Sequence, residues 1–271
     1  MKKHLKYGGS TAERTLACPA WADRAEGEPK PPSSVYADEG NLLHDAMEAH
    51  YRDDTPFSDL VGVLEYAGIA LTQDHVDRLL VPARRMTEAI RDRYDVDQYL
   101  CEPFVQLIPG LAGGSIDMLC LSADGRTVLI LDYKMGSKRV PAEENSQLQF
   151  YALCASVDPL TRAFFKRAER VAYAIVQPKC AREASTWEQP VSSLEPFHRR
   201  MLSAMYDQPK TASPGGHCYF CHVAVCPERR QKAWEATVAD LDAPADIKAA
   251  VSRDRVTKNL LKLVDTSRTT G

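Results

Sequence analysis

The chain has 271 residues, 44% of them hydrophobic and 26% charged, with a formal net charge of −3. That usage excludes disordered and collagen-like chains, and the length suffices for one sizeable core plus a smaller module. The mildly acidic balance argues against a protein that coats nucleic acid through a global basic field, and no apolar run is long enough to span a bilayer. The start, MKKHLKYGGS, has signal-peptide charges with no apolar stretch behind them, so the expected location is the cytoplasm.

In chain order, Ser10 to Glu13 reads as a capping box opening a short helix that ends at Cys18, before Pro19. Residues 26–35 are a proline-rich loop. A helical pattern covers 36–51, with Leu43, Met47 and His50 or Tyr51 on one face. A second covers 73–94, with Val76, Leu79, Leu80, Ala83, Met86 and Ile90 as its stripe and Pro82 expected to kink or divide it. Three β-prone runs follow at 99–108, 114–121 and 127–133, with turn signals at Pro109-Gly110 and Asp124-Gly125. Then come a helix at 146–157, a strand at 171–177 ended by Pro178, a helix at 191–206, and surface helices after Cys226. The core order of helix, three strands, helix, strand places the chain in the α/β class.

Eight cysteines without an export signal point to metal ligands and core thiols rather than disulfides. Cys101, Cys120, Cys154 and Cys180 lie in or beside apolar stretches and read as small buried hydrophobes. Cys218, Cys221 and Cys226 form a C-x2-C-x4-C cluster, most of a tetrahedral ligand set, and Cys18 is the natural fourth. The result is a clasp between distant parts of the chain. Zinc and an iron–sulfur cluster use the same ligands, and His217 or His222 in place of Cys18 keeps zinc open.

Polar groups occupy unusual places in the strands. Asp132 and Lys134 close the most apolar run, TVLILDYK, and share a face because they are two apart, while Tyr133 points away. Asp117 follows two glycines in the neighbouring run, and two carboxylates beside a lysine suit a hard cation. His44 lies one helical turn after Gly40, and Tyr151 one turn after Gln147. Each pair is able to face the same site.

The series Gly40-x3-His44, Gly114-x2-Asp117, Asp132-x-Lys134 and Gln147-x3-Tyr151 resembles the motif set of RecB-type nucleases of the PD-(D/E)XK superfamily. The four cysteines resemble the iron–sulfur branch that includes AddB and the CRISPR-adaptation nucleases, and the segments CPAW, DEGNLLH, DYKMGSKRVPAEENSQLQFYAL and IVQPK resemble a phage and prophage family. The last two cysteines have four residues between them here, one fewer than is usual in that branch. The resemblance covers roughly residues 10–230.

It implies a restriction-endonuclease-like core over 36–206, an iron–sulfur clasp from 10–35 and 207–232, and a helical tail over 233–271. It further implies a metal-dependent DNA exonuclease acting at DNA ends, in phage or prophage recombination beside a single-strand annealing protein. His44, Asp117 and Asp132 would bind Mg²⁺ or Mn²⁺ with the backbone carbonyl of Tyr133. Lys134 would activate water, Gln147 and Tyr151 would contact DNA or order the site's waters, and Glu102 would stand in an outer shell. Cys18, Cys218, Cys221 and Cys226 would hold a [4Fe–4S] cluster, with zinc as the alternative metal.

Basic residues are unevenly placed. Lys138 and Arg139 follow the Asp–Lys strand, and Lys166 and Arg167 adjoin Phe164 and Phe165, the pattern of a stacking and phosphate platform for DNA. The rival expectation is a non-catalytic iron–sulfur or zinc module on the same fold that binds DNA or a partner.

Overall fold

The computed structural model describes residues 5–29, 31–223 and 225–233. The chain forms two units, Met1–Glu13 with Pro32–Met201, and Arg14–Pro31 with Leu202–Gly271. Residues 234–271, on which the tail expected over 233–271 falls almost entirely, lie outside the described residues. Among the described residues no helix is long and apolar enough to cross a membrane.

A 3-10 turn at Gly9–Thr11 leads into α1 (Ala12–Ala17), which ends just before Cys18. Thr11 rather than Ser10 makes its cap: the hydroxyl accepts from the Gly8 N–H and donates to the Gly8 carbonyl, both at 3.0 Å. Then come α2 (Trp21–Arg24), α3 (Val35–Arg52) and α4 (Phe57–Leu60). The Ser34 hydroxyl caps α3 by accepting from the Ala37 N–H. A small hairpin, β1 (Glu65–Tyr66) and β2 (Ile69–Ala70), turns through Ala67 and Gly68, both at positive φ. The stretch 73–94 divides as Pro82 suggests: α5 (Gln73–His75), a π turn at Val76–Leu80, and α6 (Val81–Arg93) with Pro82 in its first turn.

The three expected strands prove to be five, because two of the runs break. Residues 99–108 split into β3 (Val96–Cys101) and β4 (Phe104–Ile108), and 114–121 splits into β5 (Ala112–Ser115) and β6 (Met118–Ser122). Glu102 has φ of 51° and Pro103 has no N–H to give a ladder, so pairing stops there. The break in one strand lies against the break in the other. The Glu102 N–H donates to the Asp117 carbonyl and the Ile116 N–H to the Pro103 carbonyl, each at 3.1 Å. Beyond this shared crease β4 pairs only with β5, as a separate two-stranded sheet.

The remaining elements are β7 (Thr127–Tyr133), α7 (Ser146–Val157), β8 (Arg170–Val176), β9 (Ser185–Pro190) and α8 (Leu194–Tyr206). Together they make a mixed α/β unit around a five-stranded sheet of order β3-β6-β7-β8-β9. Only β7 and β8 run parallel, joined through α7. All seven residues of β7 are buried, as expected of a strand covered on both faces. Leu129, Leu131 and Tyr133 join the core formed with α3 and α6 through Leu43, Met47, Met86 and Ile90. The alternate residues face α7, and this puts Asp132 against that helix.

The second unit ties its two segments together by backbone and charge. The Ala20 N–H donates to the Thr211 carbonyl at 3.1 Å, Lys210 pairs with Asp23 at 2.8 Å, and Arg24 pairs with Glu228. Among the described residues its large buried apolar side chains are Trp21, Met205 and Val223.

Candidate metal and nuclease site

The crease in the strands builds one half of the site. It brings Glu102 and Asp117 side by side, and His44 reaches them from α3. The imidazole and the two carboxylates offer ligand atoms within 4.8 Å of one another. His44 Nδ1 is 3.4 Å from Asp117 Oδ2, and that oxygen also accepts from the Tyr133 N–H at 2.6 Å. Burial pushes the His44 pKa down, but the Asp117 carboxylate outweighs it and the net direction is up. Burial likewise pushes Asp117 up, and His44 together with the Tyr133 N–H brings it below the usual carboxylate value.

Asp132 and Lys134 build the other half. Antiparallel register sets Met118 opposite Leu131, so Asp117 arrives beside Asp132. The Lys134 ammonium is 2.7 Å from Asp132 Oδ2. Gln147, in the first turn of α7, donates to Asp132 Oδ1 at 2.7 Å and accepts from Lys134 at 3.1 Å, which closes a ring of three side chains. The ammonium approaches Asp132 Oδ2 as an ion pair, and that buried oxygen has no aligned hydrogen bond. Burial raises the Asp132 pKa, Lys134 opposes it and Asp117 adds to it, with a net rise.

Tyr151 lies one turn further along α7, buried, with Gly9 and Gly114 against its ring. Burial first, then Asp132 and Asp117, hold its hydroxyl protonated. A Cβ at Gly9 would stand 2.4 Å from the ring, so Gly9→Ala should displace Tyr151 and lower stability by about 1–3 kcal/mol in urea unfolding. Gly40 is the opposite case. A Cβ there meets nothing within 4 Å, so Gly40→Ala should raise helix stability by about 0.5–1 kcal/mol, read as a shift in the unfolding midpoint.

Every residue expected at the metal site therefore stands on one of these two halves, with a difference in ligand grouping. The compact triplet is His44, Glu102 and Asp117, which sets Glu102 beside two of the expected ligands, while Asp132 is engaged by Lys134 and Gln147. The Tyr133 ring turns into the core toward Thr87.

The basic residues separate. Lys138 and Arg139 are exposed on the loop after β7, at the site's end of the sheet. Lys166 and Arg167 are at the other end, because α7 carries the chain back across the sheet before β8 starts. Thr127 pairs with Arg170 and Asp132 with Ile175, so that patch precedes a point five residues, or about 16 Å, from Asp132. The expected DNA platform at Phe164–Arg167 does not adjoin the site.

Within the second unit Cys18, Cys218, Cys221 and Cys226 line one pocket with Arg14, Arg24 and His217. The Gly215 N–H donates to Cys218 Sγ at 3.4 Å and Arg24 to Cys226 Sγ at 3.5 Å, while burial and the three neighbouring sulfurs push the Cys18 thiol up. His217 Nε2 is buried with no hydrogen-bond partner. Of the other four cysteines, Cys120 and Cys154 are core thiols, but Cys101 and Cys180 are only half-buried. Cys180 sits 3.2 Å from the Ser137 carbonyl, in the turn after Pro178 rather than in the preceding strand.

Gln177 had no role from sequence beyond its place in IVQPK. It is 4% exposed, its amide donates to the Gly136 and Lys138 carbonyls and accepts from the Val140 N–H, and it thereby holds the loop after Lys134. A buried glutamine at a strand end, just before a proline, was the available signal.

Among solved structures, the chain is similar to a crystal structure described as "Putative exonuclease" from Eubacterium rectale, at 10% identity and TM-score 0.38, covering 79% of this chain and 87% of that one. It is also similar to SSO0001, at 9% identity and TM-score 0.27, covering 81% and 95%. No curated protein matches. Residues 4–266 match the family described as "Protein of unknown function (DUF2800)", and the chain belongs to that family.

Proposed function

We propose that the protein is a metal-dependent deoxyribonuclease of the RecB-like PD-(D/E)XK type, cutting phosphodiester bonds at DNA ends. The observation that carries this is the hard-ligand triplet His44, Glu102 and Asp117 set beside the Asp132–Lys134–Gln147 ring. An imidazole with carboxylate oxygens suits Mn²⁺ or Mg²⁺, and Asp132 Oδ2 and the Tyr133 carbonyl are the further oxygens assigned to the ion. A divalent cation supplies Lewis acidity at the scissile phosphate and makes water a better nucleophile at neutral pH. Lys134 orients the attacking water and stabilises the negative charge gathering on the phosphate oxygens. Gln147 fixes the ammonium and the Asp132 carboxylate in one geometry, and the protonated Tyr151 hydroxyl donates toward the substrate.

The four cysteines fit an iron–sulfur clasp. Arg14 and Arg24 around their pocket offset the charge that four thiolates bring, and the N–H···S contacts support the sulfurs. His217 is the nitrogen available if the metal is zinc.

The test is incubation of end-labelled single- and double-stranded linear DNA with Mg²⁺ or Mn²⁺, beside Lys134→Ala and an EDTA control. Mononucleotides or short products released from one end by wild type alone are the expected result. Intact DNA in every lane would overturn the proposal.

A further inference from the structure

A cleft of about 400 Å³ opens where the loops after β7 and β8 run side by side. Ile175 forms its floor and is the Cα partner of Asp132, so the cleft starts at the strand end that carries the metal site. Arg139 comes from one loop and Cys180, Arg182 and Glu183 from the other, with Gln177 between them. Both arginines are exposed, and among the described residues neither has a carboxylate within ion-pair distance.

The walls are built in advance. Gln177 makes three hydrogen bonds to 136–140, and Ser185 accepts from the Ala142 N–H at 3.0 Å. Lys179 in the second loop pairs with Glu39 of α3 at 2.9 Å, and His75 stands 3.5 Å from the same carboxylate. A cleft held this firmly presents two guanidinium groups against the single carboxylate of Glu183, a net positive lining that suits an anion arriving from outside.

We propose that this cleft is a subsite for a backbone phosphate of the DNA strand next to the scissile bond, gripped by Arg139 and Arg182. The assignment rests on the nuclease reading for its ligand. Gln177 is the positioning residue, because it sets the loop that presents Arg139. Glu183 faces the same strand and weakens the grip.

The test uses full-length protein carrying Asp132→Asn, which binds without cutting, and a fluorescent oligothymidine followed by anisotropy over a salt series. Arg139→Ala and Arg182→Ala should each weaken binding about tenfold and lower the salt slope by about 0.7, the share of one phosphate contact on a single strand. Glu183→Gln should tighten it. The oligothymidine should also slow alkylation of the half-buried Cys180, counted by mass spectrometry. If wild type cuts DNA but both arginine variants keep the parent affinity and slope, the subsite is wrong and the nuclease reading stands. If wild type cuts nothing while oligothymidine still protects Cys180 and the variants lose affinity, the nuclease reading falls and the subsite stands.

Discussion

Asp132→Asn should lower phosphodiester cleavage by about 10³-fold or more while leaving the metal-free protein as stable as wild type or more stable. The two effects share one cause. Asp132 is 2% exposed, and burial raises its pKa above the ordinary aspartate value of 3.8 despite the ammonium beside it. A raised folded-state pKa means the fold favours the protonated acid, so the penalty of holding the carboxylate is fully present above the folded pKa and is relieved as pH falls toward 3.8. An amide at this position removes the charge, keeps the shape and still pairs with Gln147. Asp117 has the opposite sign. Its folded pKa is below 3.8, so it stabilises the fold above that value and loses the effect as pH falls through the lower, folded one. Asp117→Asn should therefore destabilise the metal-free protein at neutral pH. Urea titrations in EDTA at pH 7 and pH 4 measure both. A lower midpoint for Asp132→Asn, or cleavage within tenfold of wild type, contradicts the account.

Replacing any one of Cys18, Cys218, Cys221 or Cys226 with alanine should unfold the second unit and abolish visible absorbance from a bound cluster. Among the described residues that unit has few large buried apolar side chains beyond Trp21, Met205 and Val223, and a small apolar interior needs a staple. Metal binding in small modules supplies on the order of 10 kcal/mol of folding free energy, far beyond what the Arg24–Glu228 pair gives. Limited proteolysis should cut 14–31 and 202–233 in the variants and leave the core unit protected. Cys120→Ala and Cys154→Ala should keep the colour, because those thiols sit in the other unit's core. A colourless protein prepared without air and holding one zinc per chain would keep the clasp but overturn its iron–sulfur identity.

What was legible in the sequence was what short periods encode. The helix at Ser146–Val157 and the strand at Thr127–Tyr133 have the expected ends, because each has an uninterrupted apolar pattern between clear stop signals. The shared face of Asp132 and Lys134 follows from a period of two. Glu102-Pro103 and Asp117 interrupt the two runs in the sequence, but the crease itself depends on a positive φ at Glu102 and on pairing with 116–117, which no local pattern encodes. For that reason Glu102 was not grouped with His44 and Asp117, and β3 and β4 were merged. The edge strand β9 (STWEQP) has few β-branched residues and owes its form to pairing with β8. The position of Phe164–Arg167 at the opposite end of the sheet from Asp132 was not legible either, because composition says nothing about which end of a sheet a loop occupies.

The division of the chain also orders events in time. Cys18 belongs to a unit whose other pocket cysteines begin at Cys218, and nearly all of the core unit is translated in between. At about 5–20 residues per second, Cys18 leaves the ribosome some 10–40 s before its partners exist. The core unit is complete first, and a cluster of the proposed kind could be enclosed only once the last cysteine has emerged. Under that proposal cofactor supply would act on a finished core, as a late step of maturation rather than a condition for starting it.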